Sequence, residues 1–359
     1  MTDGLSWQTD GRDWPNRCSS RFVRAGGVRW HVQVMGAGPA LLLLHGTGSA
    51  THSWRTIAPL LAPHLTVVAP DLPGHGFTGM PPAAGFTLPG VAGGLAALLQ
   101  TLELSPAMIV GHSAGAAIGA RMCLDGAACP DVLVSLNGAL LPMPGLPIDV
   151  FAPLARVLAS SELTARAFAL MVGGRTAVQR LIRSGGSTID PEGTRLYTRL
   201  VSTPSHVAGA LRLMANWDLR PLAGDLPRLA TRLVLVTGNK DGMVPPSEAY
   251  RVRHQAAHAE LISLPGLGHL AHEERPDEVA ALLLRAASHS SARYDIRAGG
   301  VSGSGGRACT SSFSSRRCGW SAGNRMRRGA EQECGNLVRS FFVRQVSETR
   351  QRDELRVRR

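Results

Sequence analysis

Only one lysine, Lys240, occurs in the 359 residues. A G-x-x-x-x-G-K-[ST] loop is therefore absent, and with it P-loop nucleotide hydrolysis. The six cysteines (Cys18, Cys123, Cys129, Cys309, Cys318, Cys334) include no C-x-x-C pair, so the spacing of a structural metal site is missing and no metal or cofactor is expected. Cys123 reads as a helix residue without a catalytic role. No apolar run is long enough to span a bilayer. The opening residues Met1-Thr2-Asp3-Gly4-Leu5-Ser6 lack the basic-then-apolar pattern of a secretory signal, which makes a cytoplasmic location the expectation.

A strongly basic globular body is lacking too. The net charge is +12, but residues 291–359 hold 15 Arg against 6 acidic residues. The rest of the chain holds 23 basic and 20 acidic groups, so nothing there reads as a nucleic-acid footprint. The last segment is Ser/Gly-rich and then Arg-rich, without strand–helix rhythm, and reads as mostly disordered. Val338, Phe342 and Val346 nevertheless fall at helical spacing, which would suit a short amphipathic helix.

What is present is rhythm. Arg21-Phe22-Val23 and Val28 to Val34 alternate in polarity across Gly26-Gly27, the pattern of an edge hairpin. From Ala40 onward apolar strands alternate with helical stretches. That predicts an α/β chain with a mostly parallel central sheet and helices on both faces. The alternation breaks between about Ala139 and Ala215, where short helices rich in Leu, Ala and Arg replace it. The predicted layout is a core over residues 1–139, a helical cap over 140–215, a second core part over 216–290 ending in a helix from Pro276 to about Ser288, and the Arg-rich tail.

Four motifs sit at strand ends in this layout. Ala107-Met108-Ile109-Val110 runs into Gly111-His112-Ser113-Ala114-Gly115, followed by a helix of small residues. Strand, tight turn and helix are what a nucleophile elbow requires, with Ser113 lifted above the sheet. Ala40 to Leu44 runs into His45-Gly46-Thr47-Gly48. The backbone N–H groups of Thr47 and Ala114 are the candidate oxyanion donors, and two such donors supply roughly several kcal/mol of transition-state stabilisation. Leu233 to Val236 leads to Asp241, and Leu261 to Leu264 leads to His269. A serine hydroxyl is a poor nucleophile alone. His269 would take its proton, and Asp241 would orient the imidazole. The order Ser, Asp, His is that of α/β-hydrolases, which the chain resembles.

Competing residues are weaker. His272 falls in the segment after the strand end, His112 should point away from the base, and His45 reads as a structural hydrogen-bonder. Asn137 occupies the alternative acid position after Val132 to Leu136 but is not an acid. Asp71 sits in a turn after Thr66 to Ala69, where a structural role fits better. Trp54, Leu140, Met143, Met214 and Trp217 are candidate substrate-lining residues, with cap–core packing the alternative for each. Dehalogenase or epoxide-hydrolase chemistry would need a carboxylate where Ser113 stands.

The wording of several stretches is more specific. Trp14-Pro15-Asn16-Arg17, Ala25 to Gln33, His45 to Gly48 with Ser53-Trp54-Arg55, Ala69 to Thr78, Gly111 to Ala117, Ser135 to Pro142 and Leu264 to Pro276 together resemble the magnesium-chelatase accessory hydrolases of bacteriochlorophyll biosynthesis. The resemblance covers about residues 14–285 and leaves the tail without a counterpart. It implies a part in magnesium insertion into protoporphyrin IX beside the chelatase subunits, peripheral to the photosynthetic membrane. The substrate expected from the apolar cap is a hydrophobic small molecule, with a porphyrin as one candidate. Two alternatives stay open: a non-catalytic porphyrin-binding or chelatase-assembly protein, and a general carboxylesterase outside the pathway.

Overall fold

The computed structural model describes residues 4–142, 161–256 and 258–298, with side chains described to Glu278 and on through residue 288. The expectations for Met143, for the remainder of the Arg-rich tail and for Val338, Phe342 and Val346 lie outside the described residues.

Among the described residues eight strands form one sheet, in the order β1-β2-β4-β3-β5-β6-β7-β8. β1 (Ser20–Ala25) and β2 (Val28–Met35) are an antiparallel hairpin in which Ala25 faces Val28. The two-residue loop needs positive φ at both positions, and Gly26 (55°) and Gly27 (75°) supply it. β2 runs antiparallel to β4 (Thr66–Pro70). From β4 onward, β3 (Ala40–Leu44), β5 (Met108–His112), β6 (Val132–Leu136), β7 (Arg232–Gly238) and β8 (Glu260–Leu264) are all parallel.

The central strands are near-continuous apolar runs because both faces are covered. Successive side chains point to opposite faces. Leu42, Leu44, Ile109 and Leu133 enter one core, with α2 (Leu88–Thr101), α3 (Ala114–Leu124) and α9 (Pro246–Gln255). Leu41, Leu43, Val110 and Val134 enter the other, with α1 (Ile57–Leu61) and α11 (Pro276–Ala298). The closing helix continues about ten residues past Ser288, into the expected tail. No Pro or Gly interrupts the chain there until Gly299.

Between β6 and β7 lie α4 (Glu162–Val172), α5 (Arg175–Ser184), α6 (Pro191–Val201) and α7 (Pro204–Ala215). Their own cores are small. Ala165 and Ala169 of α4 pack on Val207 and Ala208 of α7, and Leu196 and Leu200 of α6 pack on Trp14, Ala50 and Phe77. α8 (Arg220–Asp225) returns the chain to β7.

Candidate active site

Ligands of such sheets bind beyond the carboxyl ends of the strands, and four of these ends carry the candidate residues. The turn after β5 is tight for a stated reason. A Cβ at Gly111 would lie 2.3 Å from Ala116 N, and one at Gly115 2.2 Å from Leu44 O. With glycine at both places, α3 starts directly at Ala114. Ser113 is held at φ 53°, ψ −120°, a backbone conformation that costs a non-glycine residue about 1–3 kcal/mol. Its N–H donates to Leu136 O (3.1 Å), and its side chain is half-buried.

The loops after β7 and β8 meet. His269 Nδ1 lies 2.8 Å from Asp241 Oδ2, with the carboxylate side chain fully buried and the imidazole 13% exposed. Asp241 Oδ1 accepts the N–H groups of Met243 (2.8 Å) and Val244 (2.9 Å). Burial alone would raise this carboxyl. The hydrogen bond and charge of His269, the Val244 N–H and the Asn137 amide together hold it below the ordinary carboxylate value. An ionised Asp241 fixes the proton on His269 Nδ1 and leaves Nε2 as the acceptor. Ser113 Oγ makes no hydrogen bond to His269 among the described contacts.

The loop after β3 approaches the elbow from the other side. A Cβ on Gly46 would stand 3.0 Å from both Ser113 Cβ and His112 Nδ1. The Thr47 and Ala114 N–H groups donate no hydrogen bond within the described residues. The loop is pinned from below and above. His45 Nδ1–H donates to Gly46 O (2.8 Å), and its Nε2 accepts Leu72 N–H (2.9 Å). His206 of α7 accepts Gly76 N–H and donates to Gly48 O. The Tyr197 hydroxyl of α6 meets Ser49 Oγ at 3.2 Å and donates to Glu273 at 2.8 Å. Glu273 is raised by burial, with Arg55 pulling it back; Arg55 also binds Asp190 at the start of α6.

Several sequence expectations need correction. The His112 ring does not point away from the base: it sits 4.8 Å from the His269 ring and its Nε2–H donates to His269 O (2.9 Å). Burial, then the His269 charge, pushes His112 down to about 3, so the neutral form is the one present. Trp54 is fully buried in the core against Leu41, Leu43 and Ile57, and its ring lies 4.7 Å from that of His272. Leu140 is also a core residue, and its N–H is tied with that of Leu141 to Glu248 Oε1. It borders a small cavity with Asn137 and Thr237, between β6, β7 and α9. The helical period turns Leu213 inward and leaves Met214 54% exposed, and Trp217 packs against the core.

Asp71 receives His31 Nδ1–H (2.7 Å), Thr51 N–H (2.7 Å) and Phe77 N–H (2.9 Å), a structural assignment. His272 lies in α10 (Ala271–Glu274) with Nε2 2.6 Å from Ser53 Oγ. Asn137, set aside in the sequence as a non-acid, donates to Asp241 Oδ2 (2.7 Å) and Gly268 O (3.3 Å). Its position after β6 and the tolerance of Asn for positive φ (47° here) were the available signals. Among the described residues no His, Cys, Asp and Glu group is arranged to hold a metal ion, and no helix is long and apolar enough to cross a membrane.

The sequence profile described as the Alpha/beta hydrolase family matches residues 41–282. A similar relative is the magnesium-chelatase 30 kDa subunit of Rhodobacter capsulatus, 39% identical over 274 residues, which cover 76% of this chain and 95% of that protein. A fluoroacetate dehalogenase from Burkholderia sp. is 30% identical over 291 residues, 73% of this chain and 91% of the relative. The crystal structure of an alpha/beta hydrolase fold protein from Burkholderia ambifaria superimposes with a TM-score of 0.61 at 27% identity, covering 74% of this chain and 97% of that one.

Proposed function

Because the chain belongs to the alpha/beta hydrolase family, we propose that it is a serine hydrolase acting on an ester-like carbonyl, with Ser113, His269 and Asp241 as its triad. The observation that carries this reading is the His269–Asp241 hydrogen bond of 2.8 Å, on loops adjoining an elbow that strains Ser113. Ser113 Oγ would attack the carbonyl carbon while His269 Nε2 takes its proton. The Thr47 and Ala114 N–H groups would receive the oxyanion. Return of the proton to the leaving group breaks the ester bond, and water then releases the acyl group by the same steps. Helices α4–α7 would act as the cap that excludes water. Although one relative is named a dehalogenase, displacement of a halide requires a carboxylate nucleophile, and Ser113 stands there.

The pathway reading rests on the relative named a magnesium-chelatase subunit. On it, the protein is an accessory factor in magnesium insertion into protoporphyrin IX, cytoplasmic and peripheral to the photosynthetic membrane, with chelatase subunits as partners and a hydrophobic, porphyrin-like molecule as ligand. A second reading, porphyrin binding or chelatase assembly without turnover, is favoured by the missing Ser113–His269 hydrogen bond. Fluorophosphonate labelling of the protein and of Ser113→Ala, with and without protoporphyrin IX, separates them. Labelling that depends on Ser113 and is blocked by the porphyrin is expected; an unlabelled, folded protein favours the second reading.

A further inference from the structure

The turn between α5 and α6 belongs to the inserted helices, yet its hydrogen bonds go to the loops of the candidate acid and base. The Gly185 carbonyl accepts the N–H of His269 (2.9 Å) and of Gly242 (3.3 Å). The Ser187 hydroxyl accepts Leu270 N–H at 2.8 Å and donates to Glu274 Oε1 at 2.9 Å. Glu274 in turn accepts Gly268 N–H at 2.9 Å and Thr188 N–H at 3.2 Å. Three consecutive N–H groups, those of Gly268, His269 and Leu270, are thus all held by this turn or by the carboxylate bonded to it.

The approach is backbone against backbone. A Cβ at Gly186 (φ +77°) would fall 1.8 Å from Lys240 O, one at Gly242 2.3 Å from Ser184 O, and one at Gly268 2.3 Å from the Gly186 carbonyl carbon. Ser187 is 1% exposed. A buried hydroxyl left without partners would cost about 1–3 kcal/mol, and both of the Ser187 bonds are made outside its own helix turn, to Leu270 and Glu274.

We propose that Ser187, with Glu274, is a positioning residue for His269: the pair sets the height and tilt of the base loop, so that Nδ1 meets Asp241 while Nε2 faces Ser113. The catalytic meaning of this rests on the serine-hydrolase reading above. It also assigns the α5–α6 turn to the fixed part of the site. A rigid-body swing of the inserted helices would tear away the bonds to His269, Gly242 and Leu270 together.

The test uses the full chain as wild type, Ser187→Ala, Glu274→Gln and a control, Ser184→Ala, whose hydroxyl bonds only Leu181 O in its own helix. One readout is fluorophosphonate labelling of Ser113, resolved into probe affinity and maximal rate. The other is the set of ring ¹H–¹³C resonances of His269, assigned with His269→Gln. Since a misplacement of about 1 Å can cost about 100-fold, loss of one bond in this set is expected to lower the maximal rate about ten-fold with affinity unchanged. The His269 ring resonances are expected to move in both variants and to stay in place in Ser184→Ala. Unmoved ring resonances in Ser187→Ala and Glu274→Gln overturn the proposal, as does a loss confined to affinity. The ring readout does not need a reactive serine, so a wild type that fails to label refutes the hydrolase reading alone. If Ser187→Ala does not fold, Glu274→Gln, which keeps side-chain shape and one acceptor oxygen, decides.

Discussion

Asn137 Nδ2 donates to the same carboxylate oxygen of Asp241 that faces the His269 imidazole, at 2.7 and 2.8 Å respectively. The candidate acid is therefore gripped from the end of β6 as well as from its own loop. Asn137→Asp keeps shape and tolerance of positive φ but turns the donor into a second carboxylate. Like charges at that distance raise the proton affinity of the pair. The labelling rate at pH 7 should fall at least about ten-fold, and the acid limb of its pH profile should move to higher pH. An unchanged profile would remove Asn137 from the site.

Strain at Ser113 gives a prediction in which stability and function part company. Glycine occupies positive φ without penalty, alanine does not. Ser113→Gly should be more stable than Ser113→Ala by about 1 kcal/mol, read from urea unfolding, while neither variant takes the fluorophosphonate. Equal stabilities would mean that the backbone at φ 53° carries no cost.

Glycines differ sharply in what a methyl group would meet. Gly115→Ala drives Cβ onto Leu44 O at 2.2 Å and is expected to cost more than about 3 kcal/mol or prevent folding. Gly93→Ala, in the exposed part of α2 with no atom within 4 Å of the new Cβ, should stabilise by about 0.5–1 kcal/mol. Thermal melts of the two variants check both signs.

Buried neutral histidines set the pH dependence of stability. Burial, the main cause, pushes His112 down to about 3 and His206 down to about 4. In the unfolded chain both return to about 6.5. Between these values the unfolded state binds more protons, so their contribution is complete above about pH 6.5 and is lost as pH falls toward 4. The melting temperature should drop between pH 7 and 4.5. His206→Gln, which offers a donor for Gly48 O and an acceptor for Gly76 N–H without titrating, should show a shallower drop; an equal drop would exclude His206 as a contributor.

The elements legible in the sequence were those whose cause is local. The two glycines of the hairpin, the small residues around Ser113 and the apolar runs of β3, β5, β6 and β7 each carry their reason within a few positions. The α/β-hydrolase fold followed from them. The bracing contacts were not legible, because they join residues far apart in the chain: Asn137 to Asp241, Tyr197 to Ser49, Gly185 to His269. For two of the candidate lining residues the structure shows the packing alternative. Trp54 and Leu140 are large and apolar near the motifs, but burial depends on which face of a turn points inward, as with Leu213 and Met214.

Lys240 lies exposed one residue before Asp241, its carbonyl packed against Gly186. As the sole lysine, it makes the rim of the candidate site the one side-chain amine to which an amine-reactive dye can couple. A fluorophore placed there would report ligand entry by quenching or energy transfer without any engineered residue.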